Sequence, residues 1–459
     1  MAKSTHQTKP CADGFCFLAG LFFGLFCFWS LTLYHYKPHF GFIPFSAKAS
    51  DYGAEAPILH SDPPHETFYD DPELSYFIEK PVNNWDQKRR VWLDLHPSFT
   101  AGSRDRVLLV TGSQPSVCKN PIGNHLLLRF FKNKVDYCRL HGHDIFYNDA
   151  YLHPKMDSYW AKLPIIRAAM LAHPGAEWIW WMDSDAVFTD MEFKVPLGRY
   201  KDHNLVVHGW PNMVYEDKNK SWTGLNAGVL LIRNCQWSMD LIDVWASMGP
   251  LSPDFERWGQ ILTSVFKDKL FSVSDDQSSL IYLLFTNKEK WGNKTYLEGE
   301  YNLEGYWLAL VGKYDTLTES YNKMERNEGV LRRRHAEKVN DWYDAEREKY
   351  LQGRERRPFV THFTGCQPCS GEHNPQYSAD SCWNEMKRAL NYADNQVLKN
   401  YGFVHPELSS SEVSVRCISR SPRPLHFLLL RKHLFIPQFR PYGHFSAAHR
   451  RTRSMRRRC

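Results

Sequence analysis

Residues 178–191 read WIWWMDSDAVFTDM. The apolar run from Trp178 to Met182 has the length of a strand and stops abruptly at Asp183, Ser184 and Asp185. A short unbroken apolar run bounded by polar turn residues is the pattern of a buried strand. Its acidic end is one of two things: a strand leaving the core through a polar turn, or a strand delivering carboxylates to a site. The flanking sequence has to discriminate.

Upstream, "RVLLVTGSQPS" is an apolar run from Arg106 that ends in Thr111, Gly112 and Ser113. "NHLLLRFFKNKVDYCRLHGHD" then has helical apolar spacing, and "IFYNDA" reads as a second strand. "YWAKLPIIRAAMLAHP" reads as a helix leading into the Trp178 strand. Strands alternating with helices of this length predict an α/β fold with a parallel, helix-covered sheet. Ligands bind such sheets beyond the carboxyl ends of the strands. Thr111–Ser113 and Asp183–Asp185 both fall there, so the acids read as part of a site.

Downstream, "NLVVHGW" and "GLNAGVLLIRN" read as strands flanking a loop, "PNMVYEDKNKSW", and "CQWSMDLIDVWASM" as a helix. In "FSVSDDQSSLIYLLF" Asp275 and Asp276 open a helical apolar pattern, as N-terminal residues should. Residues 323–357 are dense in alternating charge, which predicts a solvent-exposed helix or helical hairpin laced with i,i+4 pairs. "RRPFVTHFTGCQPC" returns the chain to a strand and a cysteine-bearing turn.

The 459 residues are 43% hydrophobic, enough for a substantial core, which excludes a disordered chain. The net charge of +6 is local: after Glu412 there are twelve Lys or Arg and no acid, so the body is mildly acidic. Residues 409–459 read as a basic, solvated tail, and no nucleic-acid partner is expected. At the other end "GFCFLAGLFFGLFCFWSLTLY", residues 14–34, carries no charge and is long enough to span a bilayer. Lys3 and Lys9 place residues 1–13 in the cytosol by the positive-inside rule. No small-residue cleavage site follows, so the run reads as a retained signal anchor with the rest of the chain lumenal. Residues 35–104, rich in Pro, His, Asp and Ser, read as a stem with one short amphipathic helix at "NNWDQKRRVWLDLHPSF", and 105–408 as the catalytic domain. Eleven cysteines and sequons at Asn219 and Asn293 fit an oxidising, glycosylating lumen.

Two carboxylates one residue apart on a turn suit a divalent cation shared with phosphate oxygens, and such a cation neutralises a leaving diphosphate. His362, in "FVTHFTGC", is the candidate third ligand, although a lone His after a strand is more often a structural hydrogen-bonding residue. Cys366 and Cys369 with Cys382 and His373 mimic a zinc knuckle; disulfides are the stronger reading for a lumenal chain. Asp275, Asp276 and Gln277 offer a helix cap and, compatibly, an acid pair plus an amide for sugar hydroxyls. Trp210, Trp222, Tyr301, Tyr306 and Trp307 are candidates to line a sugar groove, or equally to be core.

These residues lie in long stretches, among them "LLVTGSQP", "LHPKMDSYWAKLP", "WWMDSDAVFTDMEF", "GLNAGVLLIRNCQWSMDLIDVWASMGP", "SDDQS", "EGYW" and "THFTGCQPC", through which about three quarters of the chain resembles plant glycosyltransferase family 34. That family contains galactomannan galactosyltransferases and xyloglucan 6-xylosyltransferases. The resemblance implies a GT-A, Rossmann-like domain behind a transmembrane helix and stem, in a type II Golgi membrane protein. It also implies a UDP-sugar donor, Mn²⁺, and retention of configuration as an α-1,6 branch is added to a β-1,4 glycan backbone, mannan or glucan. Carried over, Asp183, Asp185 and His362 match the metal ligands. Thr111, Gly112, Ser113, Ser184 and Gln367 match the donor side, and Asp275, Asp276 and Gln277 the segment beside donor sugar and acceptor. Gln367, where the xylosyltransferases have lysine, and Ala227 in "GLNAG" follow the galactomannan branch, so galactosyl transfer onto a mannan is expected. Asn124 departs from the usual Asp and removes one charge at a helix start on the donor side. The remaining alternatives are xylosyl transfer to xyloglucan and a non-catalytic scaffold subunit, with assembly as a homo- or hetero-oligomer with other Golgi glycosyltransferases left open.

Overall fold

The computed structural model describes residues 67–100, 106–216, 218, 220–332 and 338–415. All of them fall in the compact unit that begins at Pro64. The expected anchor at 14–34, Asn219 and the tail from 416 onward lie outside the described residues. Among the described residues no helix is long and apolar enough to cross a membrane.

The strands are β1 (Val107–Gly112), β2 (Asp144–Asn148), β3 (Trp178–Met182), β4 (Ala186–Phe188), β5 (Leu205–Gly209), β6 (Leu225–Arg233), β7 (Thr295–Glu298) and β8 (Val360–His362). Six of them form one sheet in the order β2-β1-β3-β6-β5-β7. β1 pairs in parallel with β2 and β3, and β5 with β7, while β6 runs antiparallel to both β3 and β5. The sheet is therefore mixed, which corrects the expectation of a purely parallel one. The reason is local: β5 and β6 are joined by a loop, not a crossover helix, and a loop return makes neighbours antiparallel. That loop is less irregular than its sequence implied, since Pro211–Tyr215 forms a short helix.

The β3 run has no polar face because both faces are buried. Trp178, Trp180 and Met182 enter one hydrophobic cluster, and Ile179 and Trp181 the other. The helices are α1 (Trp85–Asp94), α2 (Gly123–His141), α3 (Lys162–Ala172), α4 (Gln236–Ala246), α5 (Phe255–Val265), α6 (Asp276–Thr286), α7 (Tyr314–Asn327), α8 (Asp341–Leu351) and α9 (Ala379–Leu398). Residues of α2, α7, α8 and α9 pack into the first cluster and residues of α3 to α6 into the second.

Within the stretch read as stem, Trp85 of α1 is fully buried in the second cluster, and its indole donates to Asn234 at 2.7 Å. Removing a core tryptophan costs about 3–5 kcal/mol, so Trp85 anchors α1, with the part-buried Arg89–Glu177 pair as a second tie.

The charged segment at 323–357 is helical as expected, lying partly on α7 and α8 with many charged residues exposed, but one face of it is core. Met324, Leu331, Tyr343 and Leu351 are buried, as is Arg347, whose guanidinium meets Asp190 and Glu192 just beyond β4. Its charges were legible but their partners were not, because the decisive acids lie far away in sequence and not at i+4.

Candidate active site

The turn Asp183–Asp185 joins β3 to β4, and β4 pairs antiparallel with β8 so that Ala186 faces His362. That register brings a histidine from the far end of the chain beside the acid pair. The His362 Nε2 lies 3.2 Å from Asp185 Oδ1 and 3.9 Å from Asp183 Oδ2. Ligand atoms of all three residues fall within 4.8 Å of one another. The Asp183 N–H donates to Gly228 O at 2.8 Å, and a Cβ on Gly228 would run into the His362 ring and, at 2.7 Å, Asp183 Oδ2. Glycine there keeps the hollow between the three side chains open. Two carboxylates and an imidazole converging on it fit a divalent cation that accepts mixed oxygen and nitrogen donors.

Each of these side chains is oriented from behind. Trp181 Nε1 donates to Asp183 Oδ1 at 2.6 Å, and Lys162 Nζ stands 3.5 Å from the same oxygen, leaving Oδ2 for the hollow. Lys162, fully buried at the start of α3, also donates to Ala227 O at 2.9 Å and pairs with Asp276 at 2.8 Å. Burial disfavours its ammonium, but Asp183 and Asp276 more than compensate and raise its pKa. Burial likewise lifts Asp276 to about 6 against the pull of Lys162. The Lys162 shift favours its charged form, whereas that of Asp276 works against its carboxylate. From α2, Lys134 Nζ donates to Ala186 O at 2.7 Å; burial takes its pKa down to about 7, opposed by Asp185 and Asp183. His362 shows the opposite balance: burial works against the imidazolium, but Asp185 and Glu304 carry its pKa up to about 10.

Thr111, Gly112 and Ser113 end β1, whose Val110 is in register with Trp181. They and the acid pair thus share the carboxyl edge of the sheet. A Cβ on Gly112 would collide with Asn148 O, so glycine allows β1 and β2 to approach at this point. Ser113 Oγ accepts from Tyr147 OH at 2.8 Å. The Thr111 hydroxyl is buried without a hydrogen-bond partner.

Asp275 is the N-cap of α6, accepting from Ser278 N at 2.8 Å, and pairs with the buried Lys269 at 2.8 Å. The amide of Gln277 spans two backbone groups, donating to Trp222 O at 2.8 Å and accepting from Ala227 N at 3.3 Å. An amide has two protons and two lone pairs, so one of each remains for a ligand. Ser184 is half-buried on the acid turn, and Gln367 is exposed on the cysteine turn. Asn293 is exposed, whereas the Thr295 of its sequon is buried with its hydroxyl bonded to Trp291 O. Of the aromatic candidates Trp210 and Tyr306 are exposed and Trp222 half-buried. Trp307 is core, stacked on Phe363, which settles it as the core alternative, and Tyr301 is half-buried with its hydroxyl on Tyr200.

The cysteines close as Cys118–Cys369 and Cys366–Cys382, which leaves no thiolate for a zinc knuckle. The first bridge ties the loop after β1 to the Gln367 turn. Asn120 reinforces it, its N–H donating to Cys369 O at 3.0 Å and its side-chain amide to Pro368 O at 2.9 Å. Asn124 Oδ1 accepts from Cys118 N at 3.1 Å, so the departure from Asp keeps an acceptor here and loses only the charge. Peptide mapping without reduction should recover 118 linked to 369 and 366 linked to 382; a 366–369 linkage would contradict this arrangement.

Sequence reasoning missed Lys162, Lys134, Trp181 and Glu304 as parts of the site. The only cue was a cation without a nearby acid in an apolar helical stretch, as at Lys162 in "AKLPIIRAAML", and a buried cation needs an acidic partner.

The model of the galactosyl transferase GMA12/MNN10 family matches residues 103–373. Among relatives, Glycosyltransferase 6 of Arabidopsis thaliana is 60% identical over 413 residues, 88% of this chain and 94% of that protein. Galactomannan galactosyltransferase 1 of Cyamopsis tetragonoloba is 58% identical over 428 residues, 90% of this chain and 98% of its own. Probable xyloglucan 6-xylosyltransferase 3 of Arabidopsis thaliana is 46% identical over 374 residues, covering 81% and 74%.

Proposed function

This chain belongs to the galactosyl transferase GMA12/MNN10 family and is a glycosyltransferase; from that premise we propose that it moves galactose from a UDP donor to O6 of a β-1,4-linked mannan backbone with retention of configuration. The observation that carries the reading is the convergence of Asp183, Asp185 and His362 at the carboxyl edge of the sheet, with Lys162 joining that cluster to Asp276. Galactose is favoured over xylose by Gln367 and by the higher identity to the galactomannan enzyme, 58% against 46%.

In this reading the domain is of GT-A type, and residues 14–34 anchor it in the Golgi membrane with the catalytic unit lumenal. Asp183, Asp185 and His362 hold Mn²⁺, which when bound offsets the negative charge on the diphosphate. Thr111–Ser113 and the loop fixed by Cys118–Cys369 seat the nucleotide. Retention by a covalent intermediate would need a free carboxylate nucleophile, but Asp275 is committed to the α6 cap and Lys269, and Asp276 to Lys162. Front-face attack fits better. The acceptor O6 bonds to the anomeric carbon as the bond to the β-phosphate oxygen breaks, and that phosphate takes the hydroxyl proton. The half-engaged amide of Gln277 is placed to orient a sugar hydroxyl during this exchange.

The test is to incubate the full-length protein in microsomes with UDP-Gal, UDP-Xyl or UDP-Glc and manno- or cello-oligosaccharides. Galactose linked α-1,6 to the mannan chain is the expected product. Xylose on the glucan would instead establish the xyloglucan reading, and transfer from none of the donors a scaffold role.

A further inference from the structure

We propose that Glu304 is a positioning residue for the metal site: its carboxylate accepts the Nδ1 proton of His362 and thereby holds the tautomer whose Nε2 lone pair faces Asp183 and Asp185. The inference rests on the metal reading of those three residues. Glu304 Oε1 lies 3.3 Å from Nδ1, on the side of the ring opposite the acid pair. Nε2 faces Asp185 Oδ1 at 3.2 Å, and Nδ1 has no aligned hydrogen-bond partner, the Glu304 approach being close but off the axis of a linear hydrogen bond.

The backbone is built to deliver this carboxylate. Segment 302–306 runs beside β8: Val360 N donates to Asn302 O at 3.0 Å, His362 N donates to Gly305 O at 2.8 Å, and Tyr306 forms a parallel bridge with His362. A Cβ at Gly305 would stand 2.7 Å from Val360 O, so glycine beside Glu304 allows the two segments to come this close. Glu304 is buried, and no described lysine or arginine lies within ion-pair distance of it. A buried carboxylate is costly unless paired, and His362 is its only charged partner among the described residues. A histidine that ligates through one nitrogen characteristically gives its other N–H to a carboxylate or carbonyl, which sets the tautomer and ring orientation and strengthens the ligand.

Titration of the full-length protein with Mn²⁺ at fixed neutral pH, following free aquo-Mn²⁺ by electron paramagnetic resonance, tests this without any sugar transfer. Glu304→Ala should weaken binding on the order of 10–100-fold. Glu304→Gln, which fills the same space without the charge, should fall between Ala and wild type. A purely structural role would lower the melting temperature of the Ala variant and return the Gln variant to wild-type affinity; that outcome overturns the inference. Asp185→Ala separates the two levels of the argument. If wild type binds Mn²⁺ through Asp185 and both Glu304 variants bind equally well, the positioning role fails and the metal site stands. If wild type shows no Asp185-dependent binding, the metal reading fails and takes the positioning role with it.

Discussion

Replacing Asp185 with alanine should reduce sugar transfer on the order of 10³-fold or more, and Asp183→Ala should do the same. In the proposed site two carboxylates and one imidazole would hold the cation, so removing either acid takes away a third of the protein donors and a negative charge facing the ion. The loss should be one of chemistry and not of folding. Asp183 and Asp185 are only partly buried on a turn, and the β4–β8 ladder that fixes the turn uses backbone groups. Asp→Asn variants, which keep the shape and lose the charge, should lose activity with little change in thermal melting. Chelation of wild type should reproduce the loss, with Mn²⁺ restoring wild type and failing to restore the variants. Normal turnover in Asp185→Ala would remove the site assignment altogether.

Arg347→Met should destabilise the fold by about 3–5 kcal/mol, the range for breaking a buried ion pair from one side. Burial alone would disfavour the guanidinium, but Asp190 and Glu192 more than repay it, so Arg347 stays charged in the core. Deleting it leaves Asp190 without its cation out of water, while Glu192 keeps Arg357 at 3.5 Å and Lys399 at 3.6 Å. The effect should reach the active site, because Asp190 and Glu192 follow directly on β4, and Thr189 N donates to Phe359 O at 2.8 Å beside the ladder. A lowered denaturant midpoint together with weaker Mn²⁺ binding is the expected pair of readouts. An unchanged midpoint would show that the cluster contributes nothing net. Replacing Arg347 and Asp190 together by apolar residues, with Glu192 left to Arg357 and Lys399, should recover much of the stability, since such exchanges are often neutral or better.

The alternation of strand and helix was legible because it rests on local apolar periodicity, and β1, β3, α2, α3 and α6 lie where that periodicity places them. The orientation of β6 was not, because strand direction depends on how a connection returns and no local pattern records it. The acid pair was legible as a strand-end feature. His362 was a ligand candidate from its place after a strand and a stronger one through family resemblance, but what brings it to the acid pair, the Ala186–His362 register, exists only in three dimensions. Lys162 and Glu304 were opaque for a related reason: single charged residues in apolar surroundings reveal a need for a partner without naming it. Residues 323–357 misled because composition reports how much charge a segment has and not which way it faces.

Asp185 and His362, brought together by the β4–β8 ladder, lie 177 positions apart, and that separation has a temporal meaning. At translation rates of roughly 5–20 residues per second, Asp185 emerges about 10 to 35 s before His362. Throughout that interval the nascent chain exposes an acid pair but no complete chelating set. In the proposed metal reading, the third ligand joins the acid pair only once β8 has been made and has paired with β4. Loading with metal would then report that this late pairing has formed.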